Sequence, residues 1–113
     1  MKPEMTIAKE EIFGPVMAVF RWTDEDVMFD IANSVEYGLT ASIWTRDITA
    51  AHRAAARVEA GFVWINNTGQ HFLGAPFGGY KNSGIGRENG PEGIDEYVEH
   101  KSVLLPFGYT PKV

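Results

Sequence analysis

The chain has 113 residues, no cysteine, a formal net charge of −5 and a 44% hydrophobic content. This length allows one domain with one modest core, and the apolar share is that of a folded chain rather than a disordered one. The negative balance argues against a nucleic-acid or anionic-membrane surface, and the lack of cysteine excludes disulfides, thiolate metal sites and a cysteine nucleophile within these residues.

In chain order, Val16 to Arg21 is apolar and β-branched behind Gly14-Pro15, which predicts a buried strand. Thr23 is placed to cap a helix whose first turn carries Asp24, Glu25 and Asp26, where the helix dipole favours negative charge. Val27, Ile31 and Val35 recur every four residues, with Met28 and Ala32 beside them, and the helix should stop near Gly38. Thr40 to Thr45 predicts a second strand. Asp47 can cap a second helix with Ile48, Ala51, Ala55 and Val58 on one face, ended by Gly61. Phe62 to Asn66 predicts a third strand, and its lack of polar alternation calls for cover on both faces. Thr68 to Gly90 is glycine-rich and without period, the pattern of a long structured loop. Pro91 to Val98 predicts a short helix with proline in its first turn. Ser102 to Phe107 is apolar and strand-like, has no hairpin partner in the sequence, and reads as a strand that reaches another subunit. Trp22, Trp44 and Trp64 read as packing residues.

The fold class expected from this order is α/β. Strand, helix, strand, helix, strand makes two right-handed βαβ crossovers and a partial parallel sheet with both edges open. In such sheets ligands bind beyond the carboxyl ends of the strands, which puts the loop after Asn66 beside a pocket. Gly84-Ile85-Gly86-Arg87-Glu88-Asn89-Gly90 mimics a dinucleotide fingerprint, but no apolar strand leads into Gly84, so nucleotide binding through this loop is rejected. The histidines have no metal-ligand spacing, and no metal site is expected. Asn66-Asn67-Thr68 matches a glycosylation sequon, read here as accidental. Met1 to Thr6 lacks the apolar core of a signal peptide, and no apolar run nears the roughly 20 residues that span a bilayer. The expected setting is the cytoplasm, with which the lack of disulfides agrees.

Two stretches carry more. Glu10-Glu11-Ile12-Phe13-Gly14-Pro15 and Pro76-Phe77-Gly78-Gly79-Tyr80-Lys81-Asn82-Ser83-Gly84-Ile85-Gly86-Arg87-Glu88 resemble two motifs of the NAD(P)-dependent aldehyde dehydrogenase superfamily. The resemblance runs from about Ile7 to Val103. It implies that residues 1–100 are a C-terminal portion of the catalytic domain and that 101–113 are an oligomerisation strand and tail. It implies that Glu11 holds the hydroxyls of the nicotinamide ribose and that Phe13 packs near the nicotinamide ring. Phe77 would line the substrate tunnel, and His71 would line its entrance or stand exposed in the loop. Glu88 would support a proton path or the structure. Arg87 and Glu99 match positions near a subunit interface, and Val103, Leu104 and Leu105 match the interface strand. The family's nucleophile is a cysteine thiolate, which this sequence lacks.

The resemblance therefore implies NAD or NADP use by the intact enzyme, no cofactor held by this chain alone, and no aldehyde oxidation without further sequence. The expected partners are a second copy, a full-length homologue or an upstream half. A second reading, from another class, is a non-catalytic assembly module that self-associates or joins a full-length homologue. Partial ligand binding without turnover is a third.

Overall fold

A single βαβ unit anchors the molecule. The computed structural model describes residues 1–108 and Thr110. Helix α1 (Thr6–Lys9) is one turn. Helix α2 (Glu25–Asn33) is followed by strand β1 (Tyr37–Gly38) and strand β2 (Thr40–Ile43). Helix α3 (Ile48–Arg57) crosses to strand β3 (Phe62–Ile65). Strand β4 (Tyr80–Lys81) and a 3₁₀ helix (Pro91–Tyr97) complete the described elements. β2 and β3 are parallel, with Thr40 opposite Phe62 and Ile43 opposite Ile65. β1 and β4 are antiparallel, with Gly38 opposite Tyr80. The α/β class therefore stands, as one parallel pair beside one antiparallel ribbon.

Local chemistry accounts for the helix starts. Asp47 accepts the N–H groups of Thr49 and Ala50 at 2.8 and 3.2 Å, as an N-cap side chain should. In α2 the cap is Asp24, whose carboxylate accepts the Val27 N–H at 3.0 Å, not the predicted Thr23. Two capping residue types stand side by side there, and the stronger acceptor one residue later sets the register. The buried residue of α2 is Phe29, at 6% exposure, while Val27 faces solvent. The Arg57 guanidinium lies 4.3 Å from the Phe29 ring centroid, covering it with a cation–π contact. Arg57 also pairs with Asp26, and Arg53 with Glu25 at 2.8 Å, so α2 and α3 are laced along their exposed sides.

Two predicted strands are not formed. Residues 16–21 carry no regular structure, and Val16, Met17 and Val19 are exposed. Residues 102–106 also lack strand structure, and Val103, Leu104 and Leu105 are exposed. Tyr109 and 111–113, in the predicted tail, lie outside the described residues. Strand propensity becomes a strand only when a neighbouring strand takes its N–H and C=O groups, and no described strand does so for either stretch; the Val19 carbonyl accepts the Met1 terminal ammonium at 3.2 Å. The expected three-stranded βαβαβ sheet is corrected to one βαβ unit for the same reason.

The core is correspondingly small. Phe29, Ala51, Ala60 and Trp64 are its buried apolar residues. The accessible surface is 9545 Å², against roughly 6,200 Å² expected of a compact monomer of this mass. The radius of gyration is 21.5 Å, against roughly 13 Å for a compact domain of this length. Much apolar surface is thus left uncovered by the described chain.

The Glu25–Arg53 hydrogen bond holds the Glu25 carboxyl below its ordinary pKa. A lowered folded value adds stability above the unfolded carboxyl's pKa and loses it as pH falls through the folded value. Both side chains are largely exposed, so solvent screening keeps the contribution small. The larger local effect is the α3 cap. Replacing Asp47 by Ala should lower unfolding stability by about 1 kcal/mol in urea titrations; an unchanged midpoint would show that the cap is dispensable.

Candidate functional site

The glycine-rich loop starts at a fixed hinge. Asn66, at the end of β3, has a left-handed backbone with φ 53°. Its amide N–H donates to the Thr45 carbonyl, and its oxygen accepts the Thr45 N–H, both at 2.9 Å. The sequon side chain is therefore engaged by the fold, tying the exits of β2 and β3 together. From there the loop turns back across β3 rather than staying beyond the strand ends. Trp64 Nε1–H donates to the Gln70 carbonyl at 2.7 Å.

This return brings four rings together. Phe62 and Trp64 project from the same face of β3, two residues apart. His71 lies 5.7 Å from Phe62, 5.8 Å from Trp64 and 4.6 Å from Phe77, centroid to centroid. Phe62 and Phe77 are 5.5 Å apart. Phe77 and His71, the two predicted substrate-facing residues, are thus direct neighbours. Phe77 and Glu88 exchange backbone hydrogen bonds of 2.8 Å in both directions. The Glu88 backbone holds Phe77 in place while the Glu88 side chain is exposed.

Backbone approaches backbone behind this wall. A β-carbon on Gly61 would collide with the Gly78 carbonyl, and one on Gly78 with the Gly86 carbonyl and the Arg87 side chain. Arg87 Nη1–H groups donate to the carbonyls of Gly79 and Gly86 at 3.0 and 2.6 Å. The Arg87 guanidinium also lies 5.5 Å from the Tyr80 ring centroid. Arg87 therefore clasps its own loop. Glu99 is exposed, and among the described residues it forms no ion pair with Arg87.

The acidic motif lies across the β1–β4 ribbon. Glu10 ends α1, its N–H donating to the Thr6 carbonyl at 3.0 Å. Glu11 follows in irregular backbone and is exposed. It borders an open groove of about 540 Å³ whose lining includes Lys9, Val35, Tyr37, Asn82 and Ser83. Phe13 has φ 52° and is 93% exposed. Leu39 and Ser83 line both this groove and the cleft that holds Phe77 and Arg87. The glycine-rich motif thus supplies β4 of the ribbon, and the acidic motif borders the groove beside it.

Three residues that hold this arrangement carry no local signal of the role. Ser83 Oγ accepts the Gly38 N–H at 2.9 Å. Lys81 Nζ donates to the carbonyls of Asn33 and Val35 at 2.6 and 3.2 Å and pairs with Glu59. The Asn33 amide donates to the Arg57 carbonyl, and its oxygen accepts the Glu59 N–H, both at 2.9 Å. Ser83 and Lys81 were visible only as members of a motif. Their hydrogen-bond partners, 45 to 48 residues away, were not. No group of histidines and carboxylates able to hold a metal occurs among the described residues.

This α/β segment carries both motifs beside one ribbon and leaves its flanking apolar segments exposed. The family model described as Aldehyde dehydrogenase family matches residues 1–103, and the chain belongs to this family. It is 52% identical over 106 residues to aldehyde dehydrogenase tropH of Talaromyces stipitatus, covering 94% of this chain and 21% of that protein. It is 54% identical over 101 residues to betaine aldehyde dehydrogenase 2 of Rhizobium meliloti, covering 89% and 21%. Among solved structures it is similar to the NAD+ complex of aldehyde dehydrogenase from Bacillus cereus, with TM-score 0.87, 46% identity and coverage of 95% of this chain and 22% of that one. The Mycobacterium tuberculosis aldehyde dehydrogenase complexed with NAD+ gives TM-score 0.85 and 49% identity, covering 98% and 23%. The chain therefore spans about a fifth of the length of these relatives.

The backbone contact at Gly61 is the point on which loop placement depends. Gly61→Ala should cost about 1–3 kcal/mol of stability, because the added methyl meets a carbonyl rather than a yielding side chain. Circular dichroism in urea measures this. A neutral substitution would mean that the loop can lift away from the βαβ unit without loss.

Proposed function

We propose that the chain is the C-terminal part of the catalytic domain of an NAD(P)-dependent aldehyde dehydrogenase and supplies side chains that position cofactor and substrate, without the nucleophile. The reading rests most on one observation: the acidic motif borders a groove lined by Tyr37, Asn82 and Ser83, at the ribbon to which the glycine-rich motif itself contributes β4. The NAD+ complexes among the similar structures support nicotinamide use. Residues 1–100 form the catalytic-domain portion in this reading, and 101–113 the oligomerisation strand and tail. A cytoplasmic setting is kept as part of the proposal.

The residues present fit one end of a nicotinamide cofactor. An ionised Glu11 carboxylate is acceptor-only, exposed, and beside a groove with room for a ribose, so it can receive two hydroxyl donors. The exposed Phe13 ring offers an apolar flank to the nicotinamide. Phe77, seated by the Glu88 backbone, and His71 supply the substrate-facing wall, with Arg87 fixing the loop behind them. The nicotinamide, when bound, accepts the hydride in this chemistry. The chain's contribution is orientation. The thiolate that attacks the aldehyde must come from residues outside this sequence, which contains no cysteine.

The isolated chain should give no NAD(P)H signal at 340 nm with a panel of aldehydes. Addition of a polypeptide with the remaining catalytic and cofactor-binding segments of a relative should restore turnover. In that assembly Glu11→Gln should lower kcat/KM at least tenfold and leave the melting temperature of the isolated chain within about 2 °C, as expected for an exposed acid far from the core. Turnover by the pure chain alone would overturn this reading of its chemistry. A large loss of stability would give Glu11 a structural role.

The exposed Val103, Leu104 and Leu105, with the excess surface, favour an assembly role alongside or in place of catalysis. The partner is a second copy, a full-length homologue or an upstream half. Light scattering should show a dimer or larger species for the intact chain at micromolar concentration, and weaker association after truncation beyond His100. A stable monomer would refute self-association, and equal association by both forms would move the interface away from the terminal segment.

A further inference from the structure

The end of the glycine-rich loop holds two neighbouring groups that can react with each other. Asn89 precedes Gly90, and of the five asparagines in the sequence it alone is followed by glycine. Its surroundings set it apart a second time. The side-chain amides of Asn33, Asn66, Asn67 and Asn82 each donate a hydrogen bond, to Arg57, Thr45, Gln70 and Glu36 in turn. The Asn89 side chain is exposed and makes no hydrogen bond among the described residues. The Gly90 N–H donates none among them either.

We propose that Asn89-Gly90 is a self-modifying site, at which the chain converts its own asparagine to aspartate and isoaspartate. The Gly90 backbone nitrogen attacks Cγ of Asn89, a reaction between groups already tethered in one chain. The new C–N bond closes a cyclic imide, the Cγ–Nδ2 bond breaks, and the Gly90 proton leaves with that nitrogen as ammonia. Water then opens the ring. Attack at Cγ gives aspartate, and attack at the main-chain carbonyl carbon gives isoaspartate. Nothing is oxidised or reduced. Glycine favours the step because no β-carbon crowds the attacking nitrogen. Closure turns the Asn89 Cα–C bond, and the restraint it must release is one hydrogen bond on an exposed loop, from the Gly74 N–H to the Asn89 carbonyl at 2.7 Å. Asn82 is the contrasting case in the same loop, with its amide on Glu36 and a serine behind it.

The chemistry is independent of the proposed function, but its product changes the loop on which that function relies. In isoaspartate the main chain runs through the former side chain and is one methylene longer. The carbonyl that accepts the Gly74 N–H becomes a free carboxylate beside the chain. This break falls one residue after the Phe77–Glu88 backbone exchange that seats Phe77. Conversion also adds one negative charge to the formal −5, next to Glu88 and near Glu92. The site therefore sets how long the loop keeps its original form.

The test incubates the full chain at neutral pH and physiological temperature and follows each asparagine by peptide mapping with tandem mass spectrometry. A free peptide of residues 85–93 runs beside it as the unfolded clock. Asn89 should convert about tenfold faster than Asn82, the gain expected from an unhindered neighbouring nucleophile, and should give both aspartate and isoaspartate. Hydrogen exchange at the Gly74 amide should quicken in the converted chain and stay slow in an Asn89→Gly variant, which keeps the acceptor carbonyl, suits the φ of 64° and has no amide to lose. An intact Asn89 in the folded chain while the free peptide converts would overturn the site, as would equal rates at Asn82 and Asn89. Aspartate without isoaspartate would overturn the imide route. Unchanged Gly74 exchange after conversion would overturn the effect on the loop.

Discussion

Backbone packed directly on backbone holds this molecule's functional surface together. The turn before β3 and the middle of the glycine-rich loop meet at Gly61 and Gly78 with no room for a β-carbon. That approach lays the loop across the face of β3 and lets Phe77 and His71 reach Phe62 and Trp64. Arg87 closes the same loop by donating to the Gly79 and Gly86 carbonyls, replacing the side-chain packing that glycines cannot give. Ser83 and Lys81 then carry the arrangement outward, to Gly38 and to the end of α2, and the Lys81–Glu59 pair ties the ribbon to the turn before β3. The acidic loop with Glu11 borders a groove that Tyr37, Asn82 and Ser83 also line.

The parts of the fold that were legible in the sequence are those decided locally. Asp47 caps α3 because its side chain reaches N–H groups two and three residues ahead. The β2 and β3 cores, Thr40–Ile43 and Phe62–Ile65, have propensity and a partner within the same βαβ unit. Pro91 opens a 3₁₀ helix, with its fixed φ in the first turn. The strand expected at Val16 to Arg21 failed for the opposite reason. Its residues have the propensity, but its hydrogen bonds need a chain that the described residues do not offer. Ser102 to Phe107 is the same case. The cap register of α2 slipped by one residue because Thr23 and Asp24 are adjacent candidates. Its buried residue is Phe29, covered by the Arg57 guanidinium of α3, rather than Val27.

For the candidate site, the motif residues were visible because motifs are local, while their supports were not. Nothing near Lys81 in sequence points to the carbonyls of Asn33 and Val35, and nothing near Gly38 points to Ser83. The aromatic cluster is intermediate. Phe62 and Trp64 share a strand face by periodicity, but His71 joins them only because Asn66 turns the chain back at a left-handed residue.

In the proposed function, further aldehyde dehydrogenase sequence covers the exposed apolar segments and thereby presents Glu11 and Phe13 to a cofactor. Hydrogen exchange on the amides of residues 16–22, measured for the chain alone and after addition of the remaining catalytic-domain segments of a relative, tests it most directly. The account predicts rapid exchange alone, where these amides have no strand partner, and strong protection in the assembly. Strong protection in the isolated chain, or no gain upon assembly, would contradict it.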